Sequence, residues 1–199
     1  MGKDELSNRG IWQDKSGSKA TIAEHGFFDV FKEHFRDSHY KIKKSPKGLK
    51  EIYVDVELSS KTLSEIYVPS QKVKNHGIKP DFAIKNRITK KILYIEIKRQ
   101  DGWVEGGKRS DGRGNAHERS CKYFTPGLLK VLRAKGQIDS KYLPFWIVFQ
   151  GDVTRDICRN KEVTLWFDDF QDHFFFWRDA KDPQSLIDHF ENNLKQILD

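Results

Sequence analysis

The sequence predicts an α/β domain, a mixed central β-sheet flanked by helices. Three observations carry that prediction. Short strand-patterned runs occur near 81–97, 145–149 and 174–177. Helical periodicity marks both ends of the chain. The two kinds of element alternate along the sequence instead of segregating. The size agrees, because 199 residues with 37% hydrophobic and 13% aromatic content suffice for one packed core, read as a single domain over 1–199.

Composition then narrows the classes of function. A net charge of +7 with 33% charged residues favours an anionic partner. Nucleic acid stands ahead of membrane because no Lys/Arg-rich amphipathic helix is present. The longest apolar run, Leu143 to Phe149, is far below a membrane span and holds Pro144. The polar, charged N-terminus does not read as a signal peptide. Cys121 and Cys158 lack metal-ligand spacing and are too few for a disulfide framework, which suits a reducing compartment and predicts cytoplasmic localisation.

Taken in order, residues 1–17 are polar with a Gly/Ser turn and read as an N-terminal arm. From Thr21 the spacing Phe27, Phe31, Phe35 predicts an amphipathic helix ending near Asp37. The lysine-rich stretch Lys41 to Lys50 reads as a loop, either a solvated turn or a phosphate contact. Ile52, Val54, Val56 and Leu58 alternate as a half-buried strand would, although a helical reading survives through Ile66. Asp81 to Ile84 and Ile92 to Ile97, joined through Asn86, Arg87 and Thr89, predict two strands of a hairpin. Five glycines between Gly102 and Gly114 form a loop feeding a helical stretch from Asn115 to Phe124. Thr125 and Pro126 then open another helix to Ala134. Phe145 to Phe149, Val163 to Phe167 and Phe174 to Trp177 read as sheet strands. Asp182 and Pro183 open a last helix whose stripe is Leu186, Phe190, Leu194 and Ile197. No internal repeat or low-complexity segment appears.

Chemistry concentrates on the hairpin. Asp81 follows Pro80 at the opening of its first strand, and Glu96 and Lys98, two apart on the second, project from one face. Converging carboxylates can bind a hard divalent ion such as Mg²⁺, while the ammonium can serve an attacking water and a phosphate charge. A Glu-x-Lys pair alone is uninformative, since composition gives about 1.4 by chance. Here one such pair and one Pro-Asp fall on the two strands of a single hairpin, as phosphodiester hydrolysis would require. The alternative for these residues is a surface salt bridge on an edge strand.

A second constellation is Gly112-Arg113-Gly114-Asn115-Ala116-His117-Glu118-Arg119-Ser120. Glycines permit close backbone approach, Asn can pair with adenine N6/N7, and Arg can pair with guanine O6/N7. A helix start is also where recognition residues enter a major groove. Without further context the same stretch also reads as a charged loop capping a helix.

Together the two stretches resemble the PD-(D/E)xK nucleases, and within them the EcoRI- and MunI-like type II restriction endonucleases. Pro80-Asp81 with Glu96-Ile97-Lys98 matches the catalytic motif, and Gly114-Asn115-Ala116-His117-Glu118-Arg119 resembles the shared Gly-Asn-Ala-x-Glu-Arg recognition motif. The runs Glu96 to Gly106, Gly112 to Ser120 and Leu143 to Trp146 resemble the MunI-like members in particular. The resemblance implies that Asp81, Glu96 and the Ile97 carbonyl hold Mg²⁺, with Lys98 on the attacking water and Glu118 linking recognition to the active site. It implies that Asn115, Ala116 and Arg119 read an inner AATT, with Gly114 and His117 in the same DNA-contacting motif and Arg113 reading an outer C:G pair. It further implies a homodimer on duplex CAATTG, cut after the first C to leave 5′ AATT overhangs, and a separate cognate DNA methyltransferase as protector. His117 departs from the EcoRI pattern, which has a small residue, and reads as structural or phosphate-contacting, not as a catalytic base. Two other functions fit parts of the pattern: a repair nuclease of the same superfamily, without base readers, or a DNA-binding protein without catalysis.

Overall fold

A computed structural model describes residues 21–71, 73–101 and 117–199. The expected arm over 1–17 and the glycine-rich stretch Gly102 to Gly114 lie outside these residues, as do Arg113, Asn115 and Ala116. The first helix, α1 (residues 21–34), buries Ala23, Phe27 and Phe31 at four-residue spacing, and Phe35 continues the stripe beyond its last turn. The Phe27 ring stacks on Phe82 at 5.6 Å and meets Trp146 edge-on at 5.4 Å, so this aromatic seam docks α1 on the sheet.

The sheet has five strands in the order β1 (Tyr40–Lys44), β2 (Phe82–Asn86), β3 (Ile92–Arg99), β4 (Phe145–Gln150) and β5 (Phe174–Trp177). The first three are antiparallel, and β3–β4 and β4–β5 are parallel. Parallel neighbours need crossovers. A 3₁₀ helix (Glu118–Phe124) and α2 (Pro126–Gly136) lie between β3 and β4, and α3 (Ile157–Phe167) lies between β4 and β5. The hairpin turns as expected, with Asn86 Oδ1 accepting the Ile88 and Thr89 N–H groups at 2.8 and 3.2 Å. The last helix runs from α4 (Gln184–His189) through a π turn (Phe190–Leu194) into α5 (Lys195–Leu198), and Asp182 Oδ1 accepts the Ser185 N–H at 3.1 Å.

Two hydrophobic layers result. On one face α1 and the C-terminal helix cover Ile84, Ile95, Ile97 and Trp146. On the other, Tyr123, Leu128, Leu132, Val163 and Phe167 cover Ala83, Tyr94, Ile147 and Phe149. The mixed sheet between helices is therefore the predicted architecture. Among the described residues no helix is long and apolar enough to cross a membrane, and Cys121 and Cys158 are free and exposed.

Three expectations are corrected. The stretch from Lys41 is not all loop: Tyr40 and Ile42 point into the core as β1, and only the residues after Lys44 turn away. The strand expected at Ile52 to Leu58 is absent, since it has no sheet neighbour; it forms turns with Val56 and Leu58 exposed, followed by a short helix over Ser60–Glu65. Val163 to Phe167 is helical, because Asp156 caps α3 by accepting the Cys158 and Arg159 N–H groups. Val163 and Phe167 then share a buried face at a spacing of four.

Candidate active site

The hairpin ladder ends at the pair Phe82–Ile95, beyond which β2 and its approach separate from β3. The Ile97 N–H that loses its strand partner there donates instead to Asp81 Oδ2 at 2.7 Å. Asp81 is thereby held across the mouth of the separating strands. On its other side, Ser45 N–H donates to the Asp81 carbonyl at 2.9 Å, tying the residue to the end of β1. Glu96 and Lys98 alternate with the core residues Ile95 and Ile97 and face the opposite layer, opposite Ile147 and Phe149 of β4. Lys98 Nζ donates to Glu96 Oε1, and Nζ also stands 3.5 Å from the Ile97 carbonyl. The structure thus brings Asp81, Glu96, Ile97 and Lys98 together, as the motif required.

Burial makes this corner electrostatically tense. Glu96 is 5% exposed. Desolvation and the neighbouring Glu96 charge push Asp81 up to about 7, against the opposing Ile97 N–H and Lys98 ammonium. Two groups that sequence reading missed join the corner. Tyr123, fully buried, donates its hydroxyl to Glu96 Oε2 at 2.8 Å. Glu24, one turn before Phe27 and Phe28, lines a groove with Lys44, Lys79 and Asp81, and its carboxyl is raised by burial. Neither carries a local signal: Tyr123 reads as one more core aromatic, and Glu24 as the polar flank of an amphipathic helix.

Could these residues hold a divalent ion? The donor set is all oxygen: two carboxylates and the Ile97 carbonyl, with Asp81 raised by burial and then by the Glu96 charge, both of which a cation would offset. Among the described residues no group of three or more His, Cys, Asp or Glu side chains forms a metal cage. Mg²⁺ does not ask for one, since it retains waters and takes one or two carboxylates together with phosphate oxygens.

The recognition motif is described only from His117 onward. His117 does not face outward. Its ring is 1% exposed, stacks on Trp166 at 5.7 Å, and sets Nδ1 at 3.1 Å from the Gln100 side-chain amide and Nε2 at 3.2 Å from Glu162 Oε2. Burial, reinforced by the nearby Arg159 charge, lowers its pKa against the opposing Glu162 and Glu118 charges. The structural alternative therefore holds for His117, and a DNA contact by its side chain does not, because both ring nitrogens are used inside the protein. Glu118 and Arg119 are exposed on the 3₁₀ helix, Glu118 with its Oε1 3.9 Å from His117 Nε2. Glu118 is not among the groups that hold Asp81 or Glu96. The Gln100–His117 contact also joins the two ends of the intervening stretch, and Gly151, at φ +86°, lets the end of β4 pass beside Gln100, where a Cβ would sit 2.8 Å from its carbonyl oxygen.

Comparison with known proteins agrees with this geometry. Residues 1–199 match the family model described as type II restriction enzyme MunI. The chain is 50% identical over 202 residues, covering all of both chains, to the type II restriction enzyme MunI of a Mycoplasma species. A crystal structure of MunI restriction endonuclease in complex with cognate DNA is similar at a TM-score of 0.82 and 49% identity, over 94% of this chain and 97% of that one.

Proposed function

The chain belongs to the MunI family of type II restriction enzymes, a DNA-cleaving hydrolase, and on that premise we propose that it is a Mg²⁺-dependent homodimer cutting duplex CAATTG after the first C. The observation that carries the reading is the convergence of Asp81, Glu96 and Lys98 at the point where the hairpin opens. Asp81 and Glu96, with the Ile97 carbonyl, would hold the ion. When bound, Mg²⁺ neutralises charge on the scissile phosphate and makes a nearby water more acidic. Lys98, already turned toward Glu96, orients the attacking water and offsets negative charge as the phosphorus is attacked. The Ile97 N–H keeps the Asp81 carboxylate aimed into the cleft throughout.

Recognition falls to the segment from Arg113 to Arg119. Asn115, Ala116 and Arg119 read the inner bases, with Gly114 permitting close approach, and Arg113 reads the outer C:G pair. A palindrome calls for two equivalent readers, which a two-fold dimer supplies. The enzyme works in the cytoplasm, on the nucleoid, where a separate cognate methyltransferase protects host sites.

Incubation of a plasmid with Mg²⁺, followed by sequencing of the cut ends, tests site, stagger and reaction at once. Discrete fragments with 5′ AATT ends are expected. Structure-dependent cutting would point to a repair nuclease, and intact but retarded DNA to a binding protein; either result overturns the proposal.

A further inference from the structure

A buried carboxylate keeps one orientation only if every lone pair facing the protein has a donor. Glu96 has two. Lys98 takes Oε1 and Tyr123 takes Oε2. The lysine belongs to the motif, but the tyrosine arrives from another element, the 3₁₀ helix Glu118–Phe124 in which the base-reading segment ends. The Tyr123 ring is packed against Phe145 at 5.2 Å, on the first residue of β4, so its position is set by the core and not by the carboxylate.

We propose that Tyr123 is a positioning residue that holds the Glu96 carboxylate, through its hydroxyl on Oε2, in the orientation in which Glu96 receives the divalent ion. The inference rests on the reading of Glu96 as a metal ligand. The hydroxyl acts through Glu96, the carboxylate to which it donates. Because Tyr123 and Arg119 share one short helix, the element that carries the last base reader also supplies a donor to the metal-holding carboxylate. Groups that orient metal ligands typically change metal affinity or activity by about 10- to 100-fold when removed.

The test uses Tyr123→Phe, which deletes one oxygen and keeps the ring in the core, with Glu96→Ala beside it. Calorimetric titration of Ca²⁺ into each protein–CAATTG complex reads the site without cleavage. Tyr123→Phe is expected to weaken Ca²⁺ binding about 10- to 100-fold while duplex affinity in EDTA stays within about twofold of wild type. In cleavage, kcat at limiting Mg²⁺ should fall with KM for the duplex unchanged, a split that general loosening of the fold would not produce. Unaltered Ca²⁺ affinity in Tyr123→Phe, with binding lost in Glu96→Ala, overturns the inference and leaves the metal site standing. Wild-type Ca²⁺ binding by Glu96→Ala overturns the metal reading and the inference with it. A readout that needs no variant is the ¹³C ring resonance of Tyr123 in the wild-type complex, which should move on Ca²⁺ addition; a stationary resonance counts against the proposal.

Discussion

Two buried polar sites flank the 3₁₀ helix Glu118–Phe124, and they solve opposite problems. At its C-terminal end, Tyr123 reaches a corner in which Glu96 and Asp81 are desolvated together and Asp81 is pushed up to about 7. At its N-terminal end, His117 is also desolvated, but its pKa moves down, into the neutral form that a buried ring prefers. The ring meets Gln100, Glu162 and Trp166. The first site crowds two carboxylates where burial disfavours their charge; the second buries a ring that burial biases toward its uncharged form. The difference teaches where function sits. The carboxylates of the candidate active site are held in a state that costs folding free energy, whereas His117 finds its partners entirely within the chain.

The contrast breaks most sharply through catalysis. Asp81→Ala and Glu96→Ala, and Lys98→Ala likewise, should each lower plasmid cleavage by at least about 10²- to 10³-fold while the protein stays folded. Turnover near wild type at saturating Mg²⁺ would show that the tense corner is not the active site.

Next in size is base reading. A guanidinium bidentate on guanine is worth roughly 1–3 kcal/mol, or about five- to 150-fold per contact, and a symmetric dimer makes the contact twice. Arg113→Lys or Arg113→Ala should therefore lose most CAATTG cleavage without gaining strong activity on GAATTC, because lysine lacks the fork and no contact to the other pair is built. Duplexes varied at one position at a time provide the measurement. An outer C:G preference kept in full by these variants would assign that reading to another side chain.

His117→Ala sharpens the other side of the comparison. Loss of the ring removes one hydrogen bond from Gln100 and one from Glu162 and empties the space beside Trp166, which should cost about 1–3 kcal/mol in urea unfolding. The Asp81, Glu96 and Lys98 contacts do not pass through His117, so cleavage at saturating duplex should change less than duplex affinity does. A variant as stable as wild type would mean that His117 bears no load.

The smallest effect is a gain. Asp81 has a folded pKa raised above its unfolded value, so its contribution to stability is fully present below about 3.8 and is lost as pH rises through about 7. Without divalent ions, Asp81→Asn should therefore raise the thermal midpoint at pH 8, by about 2–4 °C for a gain of about 1 kcal/mol, and by less at pH 5. A midpoint that falls at pH 8 would show that the carboxylate is not under strain.

What the amino-acid sequence determined by itself is whatever depends on near neighbours along the chain. The stripe of Phe27, Phe31 and Phe35, the strands of the hairpin, the apolar run at Phe145 and the stripe from Leu186 to Ile197 all follow from local periodicity. So does the sharing of one face by Glu96 and Lys98, which needs only a period of two. Tertiary structure decided what local pattern leaves open. Ile52 to Leu58 alternates as a strand should, yet a strand exists only if another strand offers its ladder, and none does there. Val163 to Phe167 alternates as a strand should, until the Asp156 cap selects a helix. Lys41 to Lys44 looks like loop until Tyr40 and Ile42 find the edge of β2. The same holds inside the site: the Tyr123 hydroxyl meets Glu96 across 27 positions of sequence, and His117 meets Glu162 across 45, separations at which no spacing rule operates. Only packing of the 3₁₀ helix against the sheet and α3 brings these groups within hydrogen-bonding distance, because desolvated donors and acceptors must find partners wherever the fold puts them.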